Sequence, residues 1–337
     1  MQAGAFLAQG ADTCVFDPPL RCYTLEDGVL SLADPIEGYV SRVVKEDAEE
    51  LELQMRVRKV IPKAYQKFFV FAEGYCPNFV LDPSDSYVSY TSDGRTIEKD
   101  CTLFGKFFQK TTKRVLLTEA DGYLNLLTPK LGLTLWATRR TYAVSKRLRN
   151  AMERLLKALI HLEGVLVYSD GHDGNIAWNG DKTELVLFDF GRTLVSKRSY
   201  TSFYEMLLDE KTQKELIVYK QYFFNVIAIQ HFQQYDLGTV QKECLRKVWD
   251  LLSLLGTLLF ETYNKKEGVF SKWDTEFFPN MEDCALSIIE YISNLKFQSD
   301  YSKEKIFEIC ERTIFQPMDV SGGPDVGRAV PKTLSRK

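Results

Sequence analysis

From Phe6 to about Lys130, short apolar and β-branched runs alternate with Gly, Pro, Asp and Ser. This pattern predicts strands at Cys14–Phe16, Tyr39–Val44, Lys67–Phe71 and Tyr123–Leu127. One helix interrupts them. After Asp47, an N-cap residue type, Leu53, Val57 and Val60/Ile61 recur every three to four positions until Pro62 stops the run. Residues 82–98 are polar and turn-rich, which predicts a surface excursion. Beyond Leu133 the period changes to that of helices. Ser145–His161 repeats Leu148, Met152, Leu155/Leu156, Leu159 and Ile160 with Lys and Arg between them. Similar patterns occupy Thr212–Phe232, Val240–Tyr263, Asp283–Leu295 and Lys303–Phe315, and a basic tail begins at Ser321. A strand-rich part holding one helix, followed by a helical part, reads as an α+β chain of two lobes. The lobes divide at residues 1–131 and 132–320, leaving 321–337 as the tail.

Composition narrows the classes. The 337 residues are 45% hydrophobic and 26% charged, a globular balance that speaks against bulk disorder. With 43 Lys+Arg against 46 Asp+Glu the net charge is −3, without the basic surplus of a nucleic-acid binder. Seven cysteines with no Cys-x-x-Cys pair, and three histidines, predict reduced intracellular thiols rather than a zinc site or a disulfide framework. The start Met-Gln-Ala-Gly-Ala-Phe-Leu lacks the charged region of a signal peptide. The longest apolar stretch, Leu251–Phe260, is about half a membrane span. These readings together predict a soluble, cytoplasmic protein.

The chemistry concentrates in residues 166–192. Leu166-Val-Tyr-Ser-Asp-Gly-His-Asp-Gly-Asn-Ile-Ala-Trp is followed, across the Asn179-Gly-Asp-Lys turn, by Glu184-Leu-Val-Leu-Phe-Asp-Phe-Gly-Arg. Ile176–Trp178 and Leu185–Phe188 form a hairpin that delivers Asp170, Asn175 and Asp189 to one end of a small sheet. Gly171, Gly174 and Gly191 let the backbone approach a ligand closely. A carboxylate and a carboxamide oxygen are hard donors that suit Mg²⁺, which binds through one or two carboxylates plus substrate phosphates. A further Asp can orient or deprotonate an attacking hydroxyl.

Asp-(x)₄-Asn followed by Asp-Phe-Gly resembles the catalytic loop and metal motif of the protein-kinase-like fold. The resemblance implies a bilobal ATP- and Mg²⁺-dependent phosphotransferase. Asp170 would be its catalytic base and Asn175 and Asp189 its metal ligands, with His172 standing where a phosphate-contacting Lys usually lies. It also implies a glycine-rich hairpin over the nucleotide, here Leu7–Phe16 with Ala8, Gly10 and Val15, and a hinge at Leu127, Pro129 and Leu131. A strand lysine that holds the inner phosphates falls on Lys45 or, in a second frame, on Arg42. Its helix partner falls among Glu49, Glu50 and Glu52, of which Glu50 borders the apolar stripe. Val248-Trp-Asp-Leu-Leu-Ser looks like the family's Asp-x-Trp-Ser-x-Gly helix. No Ala-Pro-Glu follows Asp189. Ser169 in place of the usual Arg predicts no phosphorylation switch, despite Ser196, Ser199, Tyr200, Thr201 and Ser202.

The wording of residues 6–69 is similar to the divergent serine/threonine-kinase-like proteins of large DNA viruses. In that register the lysine has become Arg42, and virion association would follow from a viral origin. The resemblance implies a protein Ser/Thr acceptor. Two other readings stand beside it: a small-molecule kinase of aminoglycoside or choline type, suggested by Asp170-x-His172-x-x-Asn175, and a pseudokinase acting as a binding module.

Overall fold

The computed structural model describes residues 6–9, 13–45, 48–81, 115–135, 137–138, 145–168, 170–191, 193, 195, 238–259 and 280–315. Gly10, Ser169, the serine- and tyrosine-rich stretch 196–202, the helical pattern 212–232, the polar excursion 82–98 and the tail 321–337 lie outside them. The chain divides into two units, Met1–Met55 with Val70–Leu131, and Arg56–Phe69 with Gly132–Lys337.

In the first unit, β1 (Phe6–Gln9), β2 (Thr13–Phe16), β5 (Tyr39–Lys45), β9 (Tyr123–Pro129) and β6 (Gly74–Cys76) form an antiparallel sheet in the order β1-β2-β5-β9-β6. The centre is β5, Tyr-Val-Ser-Arg-Val-Val-Lys, whose β-branched residues suit a pleated surface. Its one buried hydroxyl, Ser41, accepts the Leu20 N–H at 2.8 Å. Because side chains alternate, the sheet has two distinct faces. Val43 packs with Cys14, Phe16, Cys76, Phe79, Leu117 and Tyr123 on one. Val44 packs with Leu124 and Leu126 on the other, against Leu51 and Ala72. Leu51 belongs to α1 (Ala48–Val60), so the second face is the one the helix covers. Two-stranded ribbons flank the sheet: β3 (Tyr23–Glu26) with β4 (Val29–Leu32), and β7 (Asn78–Leu81) with β8 (Val115–Thr118). Asp27 and Gly28, at φ 50° and 76°, make the tight turn between β3 and β4.

Three expectations need correction here. The buried stripe of α1 is Gln54, Val57 and Ile61, while Val60 is 39% exposed. The apolar repeat is phased by Val57 and Ile61, and the amide at 54 is the polar residue that completes it. Lys67–Phe71 is not a strand. A helical turn, α2 (Lys63–Gln66), leads into it, and Phe69 makes a single parallel bridge to Leu187. The consecutive Phe68 and Phe69 are both buried, as is Phe71, so the stretch after the exposed Lys67 carries no strand alternation. Finally, Cys22 and Cys76 are joined in a disulfide with Cα atoms 5.8 Å apart, and Cys14 is also disulfide-bonded. The tertiary fold adjoins cysteines 54 positions apart, which no spacing rule shows. Cys244, Cys284 and Cys310 are buried free thiols.

The second unit is built on helices. α3 (Lys146–His161) starts at Ser145, whose hydroxyl accepts the Leu148 N–H at 3.1 Å, and it buries Leu148, Met152, Leu155, Leu156 and Leu159 as the spacing predicts. α4 (Thr239–Leu259) is buried nearly all round. α5 (Met281–Ser293) packs against α4, and α6 (Lys303–Thr313) against α5 and α3. Among the described residues no helix is long and apolar enough to cross a membrane. The hairpin β10 (Ile176–Trp178) with β11 (Leu185–Leu187) leans on α3, where Arg154 donates to Glu184 at 2.7 Å and to the Thr183 carbonyl at 2.8 Å.

Behind α3, the Tyr301 hydroxyl donates to Glu163. Burial pushes the Glu163 carboxyl above its usual range, and Lys303 and Lys247 only partly offset that. A carboxyl raised in the folded state contributes stability below its unfolded pKa, and the contribution is lost as pH rises through the folded value. Tyr301→Phe would leave the ionised carboxylate without its donor. The expected cost is about 1–3 kcal/mol at neutral pH. Denaturant melts should show that cost shrinking at acid pH, where Glu163 is protonated.

Candidate active site

In the second unit, the approach to the polar loop is held by Tyr168, which is fully buried. Its N–H donates to Asp250 Oδ2 at 2.8 Å, its hydroxyl to the Phe188 carbonyl, and its own carbonyl accepts from Thr193 Oγ1 at 3.3 Å. The ring also meets Phe190 edge-on at 5.9 Å. One residue thus ties helix α4, the loop and the far end of β11 together. Replacing Asp250 by Ala strands a buried N–H. We expect the variant to lose about 1–3 kcal/mol in denaturant melts, and Asp250→Asn less, since an amide oxygen can still accept.

The loop then turns back on itself. His172 N–H donates to the Asp170 carbonyl and Asn175 N–H to the His172 carbonyl, each at 2.9 Å. The Gly174 N–H donates to His172 Nδ1 at 3.0 Å, which caps the single 3₁₀ turn Asp173–Asn175. Gly174 is needed for this: a Cβ there would lie 2.7 Å from His172 Cε1. With Nδ1 used as acceptor, the ring's Nε2 faces Asp170 Oδ2 at 4.0 Å, and Asp173 Oδ1 stands 3.8 Å from Nδ1. Asn175, 7% exposed, donates through Nδ2 to Asp170 Oδ2 at 2.9 Å and to the Asp170 carbonyl at 3.3 Å. Asp170, His172 and Asn175 therefore form one hydrogen-bonded turn.

Asp189 reaches the same end of the hairpin. Ile176 pairs with Leu187, and Phe188 N–H donates to the Asn175 carbonyl at 3.2 Å, so the chain after Phe188 emerges beside Asn175. Asp189 has φ 66°, a left-handed conformation that costs a non-glycine residue of order 1–3 kcal/mol. Such strain concentrates at functional sites. Its Oδ1 accepts the Gly191 N–H at 3.3 Å. The donor set suits Mg²⁺: the Asn175 amide nitrogen is spent on Asp170, which leaves its carbonyl oxygen, and Asp189 supplies a carboxylate. Among the described residues no group of three or more His, Cys, Asp or Glu could hold a metal by itself. Two oxygen donors completed by phosphate oxygens match the way Mg²⁺ is usually held.

In the first unit, the register assigns the remaining positions. Ala8 pairs with Val15, Val15 with Arg42, and Arg42 with Leu126, so these four form one row across the sheet. That row shares its face with Val44 and Leu124, the face α1 covers. Position 45 pairs with Tyr123 and falls in register with Val43, on the opposite face. On α1, Glu52 is exposed, and the buried polar side chain is Gln54, whose Oε1 accepts the Ala72 N–H at 2.8 Å. Glu50 lies one turn before Gln54. Leu127 and Pro129 close β9, and Leu131 follows it.

Sequence reasoning missed the Tyr168 clamp, Asp250 as its acceptor, and Gln54. The signal for Asp250 was present: an acid set among Val248, Trp249, Leu251 and Leu252 in a helix buried on all sides needs a partner.

No family model matches the chain, and no curated protein does. Among solved structures it is similar to the structure of vaccinia related kinase 3, at 12% identity and TM-score 0.41, over 93% of this chain and 90% of that one. It is also similar to the autoinhibited serine kinase domain of the giant muscle protein titin, at 11% identity and TM-score 0.42, over 91% and 78% of the two chains.

Proposed function

We propose that the protein is an ATP- and Mg²⁺-dependent phosphotransferase of the protein-kinase type, acting on a hydroxyl acceptor such as a protein serine or threonine. The observation that carries this reading is the Asp170–Asn175 turn joined through the hairpin to a strained Asp189. Asn175 holds Asp170 through Oδ2, which fixes the orientation of the carboxylate that would take the acceptor's proton. The Tyr168 clamp keeps that carboxylate at a defined height above α4, and positioning of this kind supplies much of the barrier reduction in phosphoryl transfer. When bound, Mg·ATP supplies the phosphoryl group and the cation that neutralises its oxygens, with Asn175 Oδ1 and Asp189 as the protein's ligands.

Arg42 is the residue we assign to the inner phosphates. It shares a row with Val15 and Ala8 on the helix-covered face, whereas position 45 belongs to the other face. On α1 the buried polar side chain is the Gln54 amide.

The test is transfer from labelled ATP to peptide mixtures and, in parallel, to small alcohols, by wild type, Asp170→Asn and Asp189→Asn. Equal signals from all three would dismiss the enzyme. The arginine and the amide favour a second reading, a nucleotide-binding pseudokinase. A melting temperature raised by Mg·ATP without any transfer would establish that one instead.

A further inference from the structure

The β3–β4 ribbon takes no part in the chemistry above, yet among the described residues of the first unit it holds two of the most exposed large apolar side chains, Val29 at 67% and Leu25 at 61%. Its register pairs Tyr23 with Leu32 and Leu25 with Leu30, so these four side chains share one face. Only the root of that face is covered. Tyr23 is buried, Leu30 and Leu32 are half-buried, and Leu25 at the tip is 61% exposed. Val29, across the turn, is 67% exposed, and Ile36 in the return loop 50%. The root is fixed by the bridge from Cys22 to Phe79 and by Val80 N–H donating to the Arg21 carbonyl. Beyond that bridge at the root, no third strand among the described residues pairs with Thr24–Leu32, which leaves this stretch's outer backbone groups for another strand to meet.

Charge says what kind of strand. From Cys22 to Ser41 there are four carboxylates, Glu26, Asp27, Asp34 and Glu37, and no Lys, Arg or His. All four are exposed, and none has an ion pair among the described residues. Exposed strand edges are ordinarily blunted with lysine or proline. Here an apolar face is bordered by charge of a single sign, which repels nucleic acid, anionic lipid and the same face of a second copy, but attracts a cation-bearing chain.

We infer that the β3–β4 ribbon is a docking arm for an extended segment of a partner protein in which Lys or Arg alternates with apolar residues. The segment adds to the ribbon as a strand, its apolar side chains covering Leu25 and Leu30 and its cations facing the four carboxylates. This holds whether or not the protein transfers phosphate.

The test is anisotropy of a labelled peptide of alternating lysine and valine, titrated with the full chain, with the glutamate–valine peptide as comparison. Binding should weaken with added salt. It should fall at least about tenfold in Leu25→Ser and in the double variant Glu26→Lys/Glu37→Lys, as expected when an anchor or its charge frame is removed. All three positions are exposed, so melting temperatures should stay at the wild-type value. Amide exchange in the ribbon should slow only when the lysine peptide is present. Three results would overturn the inference: equal binding by the variants, no preference for the lysine peptide, or ribbon amides already protected in the free chain, which would mean the chain itself or a second copy covers the face.

Discussion

Asp170→Asn is expected to lower phosphate transfer by about 10²–10⁴-fold, the contribution typical of a positioned general base, while the melting temperature changes little. The expectation follows from how the carboxylate is held. Its Oδ2 already accepts from Asn175, and its backbone carbonyl accepts from His172 N–H and Asn175 Nδ2. An amide at 170 can keep the Oδ2 contact and the turn, but its other arm becomes a donor and cannot receive the acceptor's proton. Asp189→Asn should fall as far by a different route, by losing the one carboxylate of the proposed Mg²⁺ pair. Raising Mg²⁺ should recover part of the Asp189→Asn loss and none of the Asp170→Asn loss. Recovery of both, or of neither, would mean that the roles are not divided in this way.

Arg42→Ala is expected to lower transfer about 10²-fold, and Lys45→Ala by less than about threefold, since removing one preorganised charge-stabilising donor typically costs 10²–10³. The ground is the pleat. Arg42 stands in the row that runs from Ala8 and Val15 to Leu126, and Lys45 belongs to the register of Val43 and Tyr123. Arg42→Lys is informative as well. A lysine restores a point charge but not the planar fork, so it should recover activity only in part. A larger loss in Lys45→Ala than in Arg42→Ala would reverse the assignment.

Much of this site could be read along the chain, because its signals are local. Asp170, Asn175 and Asp189 sit within 20 residues, on a hairpin whose strands and turn are written in consecutive residues; Asn175 hydrogen-bonds Asp170, and Phe188, the residue before Asp189, hydrogen-bonds the Asn175 carbonyl. The helix 146–161 was equally legible, since its cap and its apolar repeat are both contiguous. What failed had a different character. Lys67–Phe71 looked like a strand because a short apolar run has no period to betray it. On α1, Val57 and Ile61 are buried as the repeat predicts, but Gln54 was missed because a buried glutamine reads as polar surface until its partner, the Ala72 N–H, is seen. Alternation alone leaves both Arg42 and Lys45 open. Alternation separates the two residues but does not say which face the helix covers.

By itself, then, the sequence determined the central strands β5 and β9, the helices α1 and α3 to α6, the α+β order and the chemical inventory of the loop, since each rests on neighbours a few positions apart. Tertiary structure decided the rest. It brought Asp250 to Tyr168 across 82 residues, joined Cys22 to Cys76, put the row of Arg42 and Leu126 on the helix-covered face, and, among the described residues, left Leu25 and Val29 of the β3–β4 ribbon exposed. Each of these depends on which face of an element meets which neighbour, and a periodic pattern fixes faces only relative to one another.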